Sequence, residues 1–108
     1  MNGLDEVIQH PTRLTVMAFL SGCAEAEFAA LREYAQVSDA SVSRIASALE
    51  AAGYLRVRKG RVGRRPRTWF SLTPEGRVAF SRHLEALRTM AETARAAGER
   101  SAGAGRGE

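Results

Sequence analysis

The chain has 108 residues, 44% hydrophobic and 26% charged, with 16 Lys and Arg against 12 Asp and Glu, which suits one domain with a modest core. Its single cysteine, Cys23, excludes an internal disulfide and fits a reducing, cytoplasmic setting. No apolar run reaches the roughly 18 residues of a bilayer span, so no membrane partner is expected, and the opening MNGLDEVIQH lacks the charge pattern of a signal peptide.

Leu4, Val7 and Ile8 stand at i, i+3, i+4 and predict a short helical turn over residues 4–9. Pro11 opens a longer helix, because a missing N–H costs nothing in a first turn. Leu14, Met17 and Ala18 share its apolar stripe, Val16, Phe19 and Leu20 widen it, and Gly22 is the expected stop. Residues 24–27 read as a polar connector. Residues 28–35 predict a short helix with Phe28, Leu31 and Tyr34 inward, followed by a turn at Gln36 and Val37.

Ser38 is the expected N-cap of the next helix, over 38–52, with Asp39 complementing the dipole of its first turn. Val42, Ile45, Ala46 and Leu49 repeat at i, i+3, i+4, i+7, and Gly53 follows as the C′ residue. The opposite face carries Ala40, Ser41, Ser43, Arg44 and Ser47. Those side chains are short or hydrogen-bonding, as a helix lying close to a groove floor needs.

Residues 55–72, LRVRKGRVGRRPRTWFSL, then predict a β-hairpin. Leu55 and Val57 alternate with Arg56 and Arg58, Gly60 to Pro66 form the tip, and Thr68 begins the return strand. The hairpin carries Arg56, Arg58, Lys59, Arg61, Arg64, Arg65 and Arg67, and no acid occurs between Glu50 and Glu75. Outside it, nine basic residues face 12 acids, so the basic character is local, and a local basic surface is what a polyanion reads. The candidate nucleic-acid contacts are therefore Ser38, Ala40, Ser41, Ser43, Arg44 and Ser47 on the helix, with the basic residues of 56–67 and Thr68 on the hairpin. Arg64 or Arg65 at the tip is expected to reach a minor groove. Trp69 is expected to pack against the helices, the alternative being to stack on a base.

Thr73-Pro74-Glu75 is a helix start, with cap, first-turn proline and acid in order. The helix it opens is expected over 74–97, where Phe80, Leu84, Leu87, Ala91 and Ala94 follow a 4-3-4-3 spacing suited to an inter-helix seam. This seam, with Leu4, Val7 and Ile8, is the expected dimerisation surface. Residues 98–108, GERSAGAGRGE, are expected to form a disordered tail, with residues 1–97 as the domain. The fold class is mainly α with a small β-hairpin: a winged helix-turn-helix with a C-terminal dimerisation helix.

HPTRLTVMAFL, followed by residues 28–80 with their SxxSVSRxxxxLExxGYL-type run, VGRRPRT wing and SLTPEGR, resembles the bacterial winged-helix transcription regulators of the MarR/ArsR-like class. The resemblance covers about residues 4–87. It implies a three-helix core, a sheet of two or three strands with one wing, and a homodimer on a near-palindromic operator in double-stranded DNA. The paired-cysteine site of metal-sensing ArsR proteins is absent from the sequence.

No nucleophile–base pair, phosphate loop or paired carboxylates argue for an enzyme, and no cofactor is expected. His10, His83 and Cys23 fall short of the four ligands of a structural zinc site. The expected function is a DNA-binding transcriptional regulator, a homodimeric repressor; the alternative is a winged helix that binds a partner protein. A small-molecule effector of unspecified identity would lie between the first and last helices, at the dimer interface.

Overall fold

The computed structural model describes residues 3–106, with the side chains of residues 3–103. Four helices surround a small sheet. In chain order they are α1 (Pro11–Ser21), β1 (Ala26–Glu27), α2 (Phe28–Ala35), α3 (Asp39–Ala51), β2 (Leu55–Val62), β3 (Arg65–Leu72) and α4 (Pro74–Arg106). The sheet is antiparallel in the order β1-β3-β2.

The core forms where three apolar faces meet. Val16, Met17 and Leu20 of α1, Leu31 of α2, and Val42, Ala46 and Leu49 of α3 close over Leu55, Phe70 and Leu72 of the sheet. The stripe expected on α3 is the one buried, with Ile45 half-buried at its edge. In α1 the stripe is rotated from expectation, since Ala18 is exposed. Tyr34 is also more exposed than expected, at 54%, and covers the core by stacking on Phe19 at 4.5 Å.

Three local readings change in three dimensions. Residues 6–8 form a turn, not helix, because Asp5 holds it: its Oδ1 accepts the Val7 N–H at 2.9 Å and its Oδ2 accepts from the Tyr54 hydroxyl. The connector at 24–27 contains β1, whose Ala26 and Glu27 pair with Phe70 and Trp69. The last helix runs past Ala97 to Arg106, so residues 98–106 of the expected disordered tail are helical, and residues 107–108 lie outside the described residues.

The entry to α4 locks the unit together. The Thr73 hydroxyl accepts the Gly76 N–H at 2.9 Å and donates to the Gly53 carbonyl at 2.6 Å, tying the end of α3 to the start of α4. Arg77 donates to the carbonyls of Ser21 and Cys23, at 3.3 and 3.2 Å, and so holds the C-terminus of α1. His83, fully buried, accepts the Asp5 N–H on Nδ1 at 3.0 Å and fixes the N-terminal segment against α4.

The hydrogen bond to Asp5, with burial second, raises the Tyr54 pKa above the ordinary 10.0. A raised tyrosine pKa contributes stability present below the unfolded value and lost as pH climbs through the folded one. Tyr54→Phe should therefore cost about 1–2 kcal/mol at neutral pH. It should also remove part of the alkaline fall in stability, as urea denaturation at neutral and alkaline pH would measure.

Candidate nucleic-acid interface

The helix-turn-helix is set by short polar contacts. Gln36 takes the left-handed conformation, φ 58°, and turns the chain between α2 and α3. Arg32 Nη1 binds Asp39 Oδ1 at 2.8 Å across that turn. Ser38 caps α3 by accepting the Ser41 N–H at 3.1 Å. Its hydroxyl also donates to Ser41 Oγ at 3.1 Å, and Arg44 Nη2 donates to the same oxygen at 3.1 Å. The hydroxyls of Ser38 and Ser41 are thus engaged within the helix. Ala40, Ser43, Arg44 and Ser47 stand exposed, with Ser41 half-buried beside them.

The wing spans the expected residues, but its strands are longer and its turn tighter than the expected tip at Gly60 to Pro66. Its ladder runs unbroken from Leu55↔Leu72 to Val62↔Arg65, so the connection is the two residues Gly63 and Arg64. Gly63 has φ 64° while Arg64 does not take positive φ, which is the pattern of a type II′ hairpin turn. Pro66 lies in β3 beyond the reach of β1, so one side of that strand is open to receive a residue with no N–H.

Strand alternation divides the seven wing cations by face. Lys59 and Arg61 share a face with Val57, Thr68 and Phe70. That face borders a cleft against α3, where Lys59 and Thr68 line one side and Ser43, Ser47 and Glu50 the other. The other face carries Arg56, Arg58, Trp69, Arg67 and, next to the turn, Arg65, while Arg64 sits in the turn itself. There Arg58 binds Glu25 through two nitrogens, at 2.5 and 3.2 Å, and its guanidinium lies 4.1 Å from the Trp69 ring centroid. The Arg58 hydrogen bond lowers the Glu25 pKa, and the same bond raises that of Arg58. Arg67 Nε meets Glu27 Oε1 at 3.0 Å.

Two of the expected DNA contacts, Arg58 and Arg67, therefore already have carboxylate partners, supplied by the β1 segment. Among the described residues, Arg56, Lys59, Arg61, Arg64 and Arg65 have no ion pair. Trp69 is not packed against the helices as expected. It lies on the outer face of the sheet beside Gly60, where an added Cβ would come within 3.1 Å of its ring.

The expected dimerisation set also divides. Ile8 and Phe80, 0% and 9% exposed, belong to the protomer's own core, Val7 packs against it, and Leu4 is half-buried. Leu84 is 44% exposed, Leu87 is half-buried, and Ala91 and Ala94 are exposed. Met90, outside the expected spacing, is 42% exposed and shares an apolar face of α4 with Ala86, Ala94 and Ala97. Arg13, which the sequence did not single out, lines a second cleft beside α3 together with Arg44.

Among the described residues, no His, Cys, Asp and Glu cluster is arranged to hold a metal ion, and no helix is long and apolar enough to cross a membrane.

The chain is similar to a transcriptional regulator homologue from Pyrococcus horikoshii, at 24% identity and a TM-score of 0.77 over 82% of this chain and 88% of that one. It is similar to a MarR-family regulator from Silicibacter pomeroyi, at 25% identity and a TM-score of 0.62 over 77% and 55%. It also resembles Bordetella bronchiseptica BpsR, whose DNA binding is regulated by 6-hydroxynicotinic acid, at 16% identity and a TM-score of 0.68 over 84% and 68%. No curated protein matches the chain. The winged helix DNA-binding domain family matches residues 12–91, which span all three helices of the core, the whole wing and the first half of α4. The chain belongs to that family, and its fold is that of MarR-type transcriptional regulators rather than of enzymes.

Proposed function

We propose that the protein is a homodimeric repressor that binds a near-palindromic site in double-stranded DNA. The exposed face of α3, with Ser43, Arg44 and Ser47, enters a major groove and reads base edges. The unpaired wing cations grip the flanking backbone, with Arg64 or Arg65 reaching the adjacent minor groove. Half-sites one helical turn apart, about 34 Å, follow from two such helices related by a two-fold axis. The dimer forms along α4, through Leu84, Leu87, Met90, Ala91 and Ala94. An effector would enter beside that seam, because His83 fills the junction inside one protomer.

The observation that carries this reading is that Lys59 and Arg61, on the sheet face turned to α3, have no ion pair among the described residues, nor do Arg64 and Arg65 at the tip, whereas Arg58 and Arg67, on the far face beside β1, do. Cations left unpaired beside an exposed hydroxyl-bearing helix suit a polyanion. The R64A/R65A variant should bind every duplex more weakly. Its slope of log affinity against log salt should be shallower by about one to two units, about one for each of the two arginines that neutralises a phosphate. Ser43→Ala or Arg44→Ala should instead change which sequences are preferred. Gel-shift titrations over a salt series measure both. An unchanged slope in the wing variant would sink the proposal, and binding nearly independent of salt would favour a winged helix that docks on a protein.

A further inference from the structure

The wing accounts for one side of α3 only. A helix seated in a major groove about 12 Å wide has a phosphate strand along each rim, so cations are useful on both of its flanks. The second flank of α3 faces the start of α1. A cleft of about 350 Å³ opens there, lined by His10, Thr12, Arg13, Ser41 and Arg44.

Arg13 donates from Nη1 to the Val7 carbonyl at 3.2 Å, which holds its side chain at the edge of the cleft. Arg44 is steadied by Ser41. Among the described residues, neither arginine has a carboxylate partner. Two guanidinium groups lining one cleft make its mouth positive, which favours an oxyanion beside Arg13 while Arg44 reaches past it to the base edges. The cleft also meets the first turn of α1, where His10 makes no capping hydrogen bond, so the nearby amide N–H groups have no side-chain acceptor there.

We infer that this cleft seats a backbone phosphodiester of the DNA strand on the side of α3 away from the wing, with Arg13 as its main cation. The inference rests on α3 being the helix that enters the groove. With the wing on one rim and Arg13 on the other, phosphates on both sides fix the height and tilt of α3, so the same residues always face the bases.

The test is a salt series of duplex binding by the full chain, with the R64A/R65A variant as reference. Arg13→Ala should make the salt slope shallower by about one unit, equivalent to about 3.5-fold less loss of affinity between 50 and 200 mM salt. Preference among duplex sequences should stay the same, and phosphate-ethylation interference should disappear at one position in each half-site. Thr12→Glu keeps the Arg13–Val7 hydrogen bond and places an acid in the first turn of α1, where acids favour the helix. It should lower DNA affinity by about tenfold through like-charge repulsion without lowering the melting temperature. If Arg13→Ala leaves the slope unchanged and Thr12→Glu leaves affinity unchanged, while R64A/R65A still binds weakly, the phosphate seat is wrong and the wing reading stands. If the wing variant also binds fully, the DNA-binding reading itself has failed.

Discussion

Gly76→Ala is expected to destabilise the protein by about 3 kcal/mol or more. Gly76 is buried in the first turn of α4, and a Cβ built there falls 2.1 Å from the carbonyl oxygen of Tyr54 and 2.9 Å from its carbon. That carbonyl cannot easily withdraw, because it accepts the Thr73 N–H at 3.0 Å, and Thr73 in turn caps α4 and binds Gly53. In an open helix the same substitution would stabilise by about 0.5–1 kcal/mol, since glycine has more freedom to lose on folding. The sign of the effect therefore separates close packing from helix propensity. Gly98→Ala is the internal control: Gly98 lies within α4 with nothing within 4 Å of an added Cβ, and its substitution should be neutral or stabilising. A loss of about 3 kcal/mol corresponds to a fall in melting temperature of roughly 12 °C or more for a domain of this size. Equal effects at the two positions, measured by thermal and urea denaturation, would remove the argument.

The residues around Gly76 also mark how far the fold could be read in advance. Thr73-Pro74-Glu75 gave the start of α4 because capping is a local hydrogen-bonding preference that a few residues specify. The same holds for Ser38 before α3, and the buried stripe of α3 follows from helical periodicity alone. What Gly76 touches was hidden, because Tyr54 comes from another element. Strand β1 was hidden for a similar reason: two residues have no period, and only pairing with Phe70 and Trp69 makes them a strand. The helical segment 98–106 was missed because its glycines oppose a helix, whereas extending an existing helix avoids the cost of nucleation and Arg95–Glu99 supports it at 3.1 Å.

The candidate interface was legible in composition and less so in geometry. The seven wing cations read as one block because composition carries no direction. Hairpin register assigns Lys59 and Arg61 to the face toward α3 and sends Arg58 and Arg67 to the other, where Glu25 and Glu27 neutralise them. Glu25 and Glu27 lie about thirty to forty residues before their partners, so the charge run gave no hint of them. Arg13 was overlooked for the opposite reason. It is a lone cation in an apolar helix, and only the packing of α1 beside α3 brings it to one cleft with Arg44.

Loss of the second half-site should have the largest effect on DNA binding. Helix α4 has 33 residues, and the chain extends 74 Å along its long axis against 25 and 20 Å across. From Arg88 to Gly103 every residue except Ala96 is exposed. Most helical stability comes from packing an apolar face, which this stretch lacks within one protomer, and exposed pairs such as Arg88–Glu85 and Arg95–Glu99 add little. The proposed dimer supplies what is missing by covering Leu84, Met90 and Ala94. The double substitution Met90→Glu and Ala94→Glu places two acids in each copy of that seam while leaving the protomer core, which closes at His83 and Ala86, untouched. The variant should have half the mass of the wild-type particle by light scattering and keep its helical core. A duplex with two half-sites should be bound about 10²–10⁴-fold more weakly, because the second contact no longer benefits from tethering. A duplex with one half-site, which engages a single protomer, should be bound with little change. A variant of wild-type mass that binds the two-site duplex at full affinity would show that α4 is not the seam. A monomeric variant with undiminished two-site affinity would show that one protomer suffices for binding.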